Sequence, residues 1–213
     1  LVKHSPKAQK LTTMKKRHLI NSIQIFTLST LVFLSGCTTN RRVTRIDPNK
    51  TTDLSGRWND TDSRLVAETM SQDALAGAWL TRFGNQKNKK PIVIVGMIKN
   101  KSHEHIQSET FVKDMERQFI KSGAIRIVQN SAFREKIREE RADQQEFASP
   151  STQKKWGKEL GADFMVFGNI NSIVDQEGRR KVIYYQVNLE LANIETNELV
   201  WIGEKKIKKY VSN

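Results

Sequence analysis

The sequence contains one cysteine, Cys37, and only four histidines among its 213 residues. A lone cysteine cannot form a disulfide within the chain, so the fold must be stabilised by its apolar core. His103 and His105 lie beyond the N-terminal segment and, two positions apart, could face one metal ion from a strand. A catalytic zinc needs three protein ligands, and no third ligand is evident. We therefore expect both histidines to be polar loop residues and expect no metal site.

Sequence patterns for catalysis are also missing. There is no Gly-x-Ser-x-Gly elbow for a nucleophilic serine. No glycine-rich loop could cradle a phosphate, because Gly96 and Gly168 stand singly inside apolar runs, where close packing is expected. Glu195 and Glu198 fall in an expected turn, where solvated acids are common, so a glycosidase-type carboxylate pair is a weak alternative. The sequence predicts a protein that is not an enzyme, with no catalytic residues, no cofactor and no small-molecule substrate.

Acidic residues are absent from residues 1–36, which hold six lysines and arginines. The whole chain has a net charge of +13, but the remainder has 30 basic and 23 acidic residues, or +7. This mild excess suits an anionic surface such as lipid headgroups or cell-wall polymer. We expect no nucleic-acid partner, because the N-terminal segment has the layout of an export signal.

That segment matches a signal peptide in its order of parts. Met14 is the expected start, with residues 1–13 upstream of it, and a basic run at 15–17 precedes a mostly apolar stretch at 19–34. The stretch is shorter than the ~20 residues that span a bilayer, which disfavours the alternative of a transmembrane anchor. We expect residues 1–36 to be removed as a signal peptide.

Leu34, Ser35 and Gly36, followed by Cys37, resemble the bacterial lipobox. The resemblance implies cleavage before Cys37, diacylation of its sulfur and an anchor of three acyl chains such as palmitate, enough to hold a protein stably on a membrane. Thr38 stands where an aspartate usually signals inner-membrane retention. The resemblance therefore implies a lipoprotein of the outer membrane that faces the periplasm.

The remainder divides into an anchor with its linker at 37–57 and a globular domain at 58–213. Residues 38–57 are polar and include Pro48 and Gly56, which is typical of a flexible linker. Beyond them the apolar residues recur at helix and strand spacing. We expect one α/β (α+β) domain with a mixed sheet of about four to five strands and helices packed on it.

Capping and stop residues bound the expected helices. The first begins at Thr61 or Asp62 and ends near Arg82, stopped by Gly84, and the second covers 107–121 and ends at Gly123. A short, highly charged helix is expected to be capped by Ser131 and to run to about Glu140. The last begins at Ser149-Pro150, carries Trp156 and Leu160 and ends at Gly161.

The strands are expected at 92–98, 124–128, 164–168, 182–192 and 199–208. Turns are expected at 176–179 and 193–198, where Asn197 is suited to a left-handed conformation. Two stretches are rich in basic residues: the last strand, with lysines at 205, 206, 208 and 209, and the charged helix at 131–141. We expect them to be solvated faces or, for the lysines, protection of an edge strand. The alternative is that either stretch contacts an acidic partner.

Tryptophan is common in interface hot spots, and the four here could serve as such anchors. Trp156 and Trp201 lie on patterned elements, so we expect them in the core. Trp58 precedes the first helix among polar residues and is expected to dock that segment on the domain. Trp79 is left open between core and interface.

Three stretches resemble the LpoB-like family of penicillin-binding-protein activators. They are residues 54–63, which lead into the first helix, residues 160–168 and the hairpin at 193–201. The latter two also resemble CsgG-like envelope lipoproteins, so the first is the more specific. Its family motif consists of Gly56, Arg57, Trp58, Asn59, Asp60, Thr61 and Asp62.

The family resemblance implies an outer-membrane lipoprotein that binds a bifunctional class A penicillin-binding protein and stimulates peptidoglycan synthesis without being a catalyst. The linker of about 20 residues with one proline departs from the long, proline-rich linkers of the best-known members. The alternative is an accessory structural lipoprotein of a secretion or flagellar assembly. A pore is not expected, because the sequence lacks long amphipathic hairpins.

Overall fold

The computed structural model describes residues 42–154 and 157–212. The expected signal peptide, the expected lipobox with Cys37, and Trp156 therefore lie outside the described residues. The chain divides into two units, residues 1–47 and 48–213. In the first unit, described residues 42–47 are exposed and have no regular secondary structure. The second unit contains the helices and strands described below.

A five-stranded mixed sheet with the strand order β2-β1-β3-β4-β5 forms the centre of the second unit. Its strands are β1 (Ile92–Lys101), β2 (Arg126–Ile127), β3 (Phe164–Glu177), β4 (Arg180–Asn193) and β5 (Leu199–Val211). β1 pairs in parallel with β2 and β3, while β4 runs antiparallel to both β3 and β5. β2 and β5 are the edges of the sheet. The expectation of a mixed sheet with packed helices in one domain is confirmed.

Four helices surround the sheet in the described part of the chain. They are α1 (Asp60–Ala76), α2 (Ala78–Lys87), α3 (Ser108–Ser122) and α4 (Ser131–Phe147). In α3, Phe111, Met115 and Phe119 recur every four residues and all are buried, which places them on one apolar face. α1 and α3 pack on each other, α1 also packs on β5, and α3 on β1 and β2.

The core lies between α1, α2 and α3 and one face of the sheet. Alternate residues of β4 point into it: Ile183, Tyr185, Val187, Leu189 and Leu191 are all buried. The residues between them face away from the helices, as the two-residue period of a strand requires. The strand predicted at 182–192 is thus confirmed, and its alternate apolar residues form one buried face of the sheet.

One long first helix was expected, but the chain breaks at Gly77 into α1 and α2. Gly77 has an extended backbone (ψ 142°), whereas Gly84 lies inside α2 and the left-handed residue that ends α2 is Asn88 (φ 51°). A Cβ at Gly77 would come within 2.7 Å of the Trp79 ring. The ring folds back on α1, where its Nε1 donates to the Ala74 carbonyl at 2.7 Å. The break thus seats Trp79 in the core.

The helix expected after Ser149-Pro150 is absent from the described residues of that segment. Residues 149–152 form a turn, in which the Thr152 amide donates to the Ser149 carbonyl at 2.9 Å, and 157–162 are irregular. Leu160 remains half-exposed, so among the described residues of this segment it adds little buried apolar surface that could stabilise a helix. The preceding helix α4 is longer than expected, and its N-cap is Asn130 rather than Ser131.

The strands also differ in length from their predicted ranges. The second strand is only two residues long, while β3 extends nine residues beyond the expected end at 168 to Glu177 and pairs with β4 throughout. Polar residues such as Asn169 and Asn171 lie on the open face of this extension, which hid it from a search for apolar runs. Gly178 (φ 58°) makes the β3–β4 turn, and Asn197 has the predicted left-handed conformation (φ 60°).

Replacement of Gly168 by alanine is expected to destabilise the domain by about 2 kcal/mol or more. The new Cβ would lie 2.1 Å from the Asn188 carbonyl oxygen of the neighbouring strand, and a central strand pair cannot move apart without losing hydrogen bonds. Urea unfolding measures the change. Gly161→Ala is the control, because nothing lies within 4 Å of that Cβ; equal stability of both variants would contradict the packing described here.

Candidate functional site

The family motif at residues 56–62 forms the turn that leads into α1 and the first turn of that helix. Asn59 is the N-cap: its side chain accepts from the Asp62 amide at 3.1 Å, and the Asp62 carboxylate accepts from the Asn59 amide at 3.0 Å. Such a reciprocal capping box satisfies two amides at the helix start. Asp60 and Asp62 add negative charge where the helix dipole favours it.

Lys209 of β5 joins this turn to the last strand. Its ammonium donates to Asp53 Oδ1 and Asp62 Oδ2, both at 2.6 Å, and to the Arg57 carbonyl at 3.1 Å. All three donors of the ammonium are used. Asn59 also donates to Asp53 Oδ1, at 2.6 Å. We call Asp53, Arg57, Asn59, Asp62 and Lys209 the clasp, because together they fix the N-terminal segment to β5.

The pKa values of Asp53 and Lys209 are both shifted away from neutral pH. The pKa of Asp53 is lowered chiefly by the hydrogen bond from Lys209. Burial alone would lower the pKa of Lys209, but its hydrogen bonds to Asp53 and Asp62 outweigh burial and raise it. The Lys209 side chain is 11% exposed and that of Asp62 7%, so water screens their attraction little.

Gly56 brings the segment against the end of β5. Its φ of +69° is left-handed, and a Cβ there would lie 2.3 Å from a methyl of Val211. Both the backbone conformation and the close approach therefore require glycine.

Trp58 docks the same segment on the sheet, as predicted. Its ring lies edge-on to Tyr185 with the centroids 5.5 Å apart, and its Nε1 donates to Ser63 Oγ at 2.7 Å. Glu104 Oε1 accepts from the Trp58 amide at 3.2 Å and from the Tyr185 hydroxyl. Burial, followed by this carboxylate, raises the pKa of Tyr185, so the phenol stays protonated.

The two histidines are loop residues, as expected. His103 stacks on Tyr185, and its Nδ1 lies 2.6 Å from Ser172 Oγ. His105 contacts Gln107 instead. In the described part of the chain, no three histidine, cysteine or acidic side chains come together in an arrangement that could hold a metal ion.

The segment at 160–168 is structural. Both carboxylate oxygens of Asp163 are occupied: one accepts from the Ile92 amide at 2.9 Å and the other from Lys89 at 3.1 Å. Asp163 therefore anchors the start of β1 beside the start of β3. Trp201 of the hairpin lies over Gly203, against α1, where its Nε1 donates to Asp73 at 2.9 Å.

A cavity of about 390 Å³ opens near the 193–198 hairpin. Trp79, Phe83 and Phe164 form its apolar floor, with edge-on ring contacts at 5.1 and 5.2 Å. Glu195 and Glu198 lie at its rim. Glu198 faces Arg82 at 3.9 Å, and both side chains are mostly exposed, which fits solvated turn acids better than a catalytic pair.

The structure brings five of the seven motif residues, Gly56 to Asn59 and Asp62, into contact with β5, Tyr185 or the α1 cap. Lys209, Glu104 and Tyr185, which hold them, were missed by sequence reasoning, although the high lysine content of β5 was noted. β5 is an edge strand, as its lysines predicted. None of the described helices is long and apolar enough to cross a membrane.

Replacing Lys209 with methionine is expected to destabilise the domain by about 2–3 kcal/mol, because it leaves the buried carboxylate of Asp62 without its cation. Urea unfolding at neutral pH checks the value. The matched control is Lys208→Met, one residue earlier on the exposed face of β5, where a change within about 0.5 kcal/mol is expected. Equal losses would show that the clasp adds no stability.

The clasp is expected to loosen only in acid or strong base. The contribution of Asp53, whose pKa is lowered, is present above its ordinary value of 3.8 and lost as pH falls through the lower value. That of Lys209, whose pKa is raised, is present below 10.5 and lost as pH rises through the higher value. NMR amide shifts of Asn59 and Asp62 should stay constant between about pH 5 and 9; a titration near pH 6 would contradict this assignment.

Comparison with known proteins identifies a family that this chain matches. The sequence profile of the peptidoglycan-synthase activator LpoB matches residues 62–207. No curated protein sequence matches significantly. Similar solved structures include the LpoB C-terminal domain of Salmonella enterica, at 11% identity and a TM-score of 0.36 over 69% of this chain and 96% of that chain.

Two further structures are similar at comparable levels. The NMR structure of Escherichia coli LpoB has 12% identity and a TM-score of 0.39, covering 84% of this chain and 85% of that chain. A lipoprotein of Neisseria meningitidis has 10% identity and a TM-score of 0.37, covering 56% and 83%. The profile match extends over more than half of the chain and confirms the resemblance found in the sequence. The chain belongs to the LpoB family of peptidoglycan-synthase activators.

Proposed function

We propose that this protein is an outer-membrane lipoprotein, anchored through Cys37 and facing the periplasm, that binds a class A penicillin-binding protein and stimulates its synthesis of peptidoglycan. The observation that carries the proposal is the family match over residues 62–207. The lipobox at 34–37 and the signal-peptide layout before it support the anchor and the compartment.

The proposed activator works by binding rather than by chemistry. A ligand shifts the equilibrium between two states of a synthase only if it binds one of them more tightly. The motif residues support such a role because they are used to build the domain: Trp58, Asn59 and Asp62 are each engaged by hydrogen bonds within it. We expect the surface that contacts the synthase to lie elsewhere on the domain.

The tether sets a limit on where the synthase can be met. The clasp fixes the chain from Asp53 onwards, so the segment between the proposed lipid anchor and the domain is residues 38–52. Fully extended, it spans at most about 50 Å, and a flexible chain of this length averages about 20 Å between its ends. The beginning of the domain is thus expected within that distance of the outer membrane.

The test is glycan polymerisation by the class A synthase of the same organism, assayed in detergent with and without the full-length protein. We expect a several-fold rise in rate, because the bound activator favours the active state of the synthase. Heat-denatured protein is the control and should give no rise. No change in rate, together with no binding at micromolar concentrations, would favour a structural role in an envelope assembly instead.

A further inference from the structure

α4 is attached to the domain in an unusual way. None of its 17 residues is buried, although Phe133 and Ile137 lie four positions apart and could have formed an apolar face. Phe133 remains 46% exposed and Ile137 42%. Helices in proteins gain most of their stability from packing such a face. α4 therefore keeps an apolar stripe accessible.

Polar bridges hold the helix in place. The guanidinium of Arg138 donates to both carboxylate oxygens of Glu159, each at 2.9 Å, and Arg141 donates to the same carboxylate at 3.4 Å. The bond from Arg138 is the main cause of the lowered pKa of Glu159. Near the end of α4, Gln145 donates to the Lys154 carbonyl at 2.8 Å. These hydrogen bonds hold α4 next to residues 154–159 without burying any of its side chains in the core.

A cleft of about 320 Å³ lies between α4, the residues that follow β2 and the residues that precede β3. We call it the α4 cleft. Its apolar wall consists of Val128, Ile137 and Leu160, and Leu160 is 48% exposed. A groove with an accessible apolar wall is suited to take a side chain from a partner.

The charge of the α4 cleft is strongly one-sided. Arg134, Arg141 and Lys158 line it, and Glu159 is the single acid among its described lining residues. That acid is already engaged by Arg138 and Arg141. Arg134 Nε is buried and has no hydrogen-bond acceptor among the described residues. A buried donor without an acceptor is destabilising.

We propose that the α4 cleft is the surface that docks the synthase, and that it receives an acidic segment carrying an apolar side chain. The proposal rests on the function proposed above. A carboxylate of the segment would meet the guanidinium of Arg134 in a charge-assisted hydrogen bond, with Lys158 as a second cation. The apolar side chain would cover Ile137 and Leu160, which expels water from around the ion pair and strengthens it.

The larger cavity near the 193–198 hairpin fits such a partner less well. Its lining cations are matched by acids: Lys89 pairs with Asp163 at 3.1 Å, and Arg82 lies 3.9 Å from Glu198. It therefore offers no excess charge to select a partner, whereas charge complementarity is what steers one protein surface to another.

The experiment measures the affinity of the full-length protein for the purified class A synthase of the same organism, by interferometry in detergent. Lys158→Glu reverses an exposed charge in the cleft and is expected to weaken binding at least tenfold. Leu160→Ser removes apolar surface without changing charge and is expected to weaken it about fivefold. Both positions are exposed, and thermal unfolding of each variant verifies that the fold is intact.

The matched control is Lys208→Glu, the same substitution on the exposed face of β5, which is expected to bind as the original protein does. The outcomes separate the two proposals. If the original protein binds and the cleft variants bind equally well, the α4 cleft is not the docking surface, but the proposed function stands. If Lys208→Glu weakens binding as much as Lys158→Glu, unspecific charge is responsible and the inference is wrong. If the original protein does not bind, both proposals fail.

Discussion

The ammonium of Lys209 joins the beginning of the folded domain to its end. It contacts Asp53 and Asp62 at 2.6 Å each, and Asp62 in turn caps α1 through Asn59. The start of α1, the segment that enters it from Asp53 and the last strand are therefore all held by one ammonium group between two carboxylates. The ammonium donates to three separate acceptors, on Asp53, Arg57 and Asp62. The planar guanidinium of an arginine could not reproduce this arrangement without rearrangement.

The clasp also accounts for the polar residues of the family motif. Trp58, Asn59 and Asp62 are each held by at least one partner that is distant in sequence or part of the helix cap, such as Tyr185 or Lys209. Their role in the described structure is to fix the direction in which the chain enters the domain. What remains for recognition are surfaces on the other elements, of which α4 is the least packed.

The predictions from the sequence were right where neighbouring residues determine the structure. The strand at 182–192 was predicted from its residue pattern, and Asn197 was correctly placed in a left-handed turn. The predictions failed where a distant contact decides: Lys209 meets Asp53 across 156 positions, and Gly77 breaks the first helix because the Trp79 ring folds back on it. The helix expected after Pro150 had good capping residues, but the described residues that follow form a turn and irregular structure, and Leu160 stays half-exposed.

The direction of the strands has a mechanical consequence. β5 runs from the hairpin end of the sheet to the clasp, so the clasp lies at one end of the domain, and the residues before β3, with the α4 cleft, lie towards the other. Thirteen residues of strand measure about 40 Å. If the proposed anchor and the proposed docking surface both hold, a load between the membrane and the partner would travel along the sheet and act on the β4–β5 hydrogen bonds in shear, which many bonds share at once. Under that proposal, the domain would serve as a stiff spacer rather than as a flexible link.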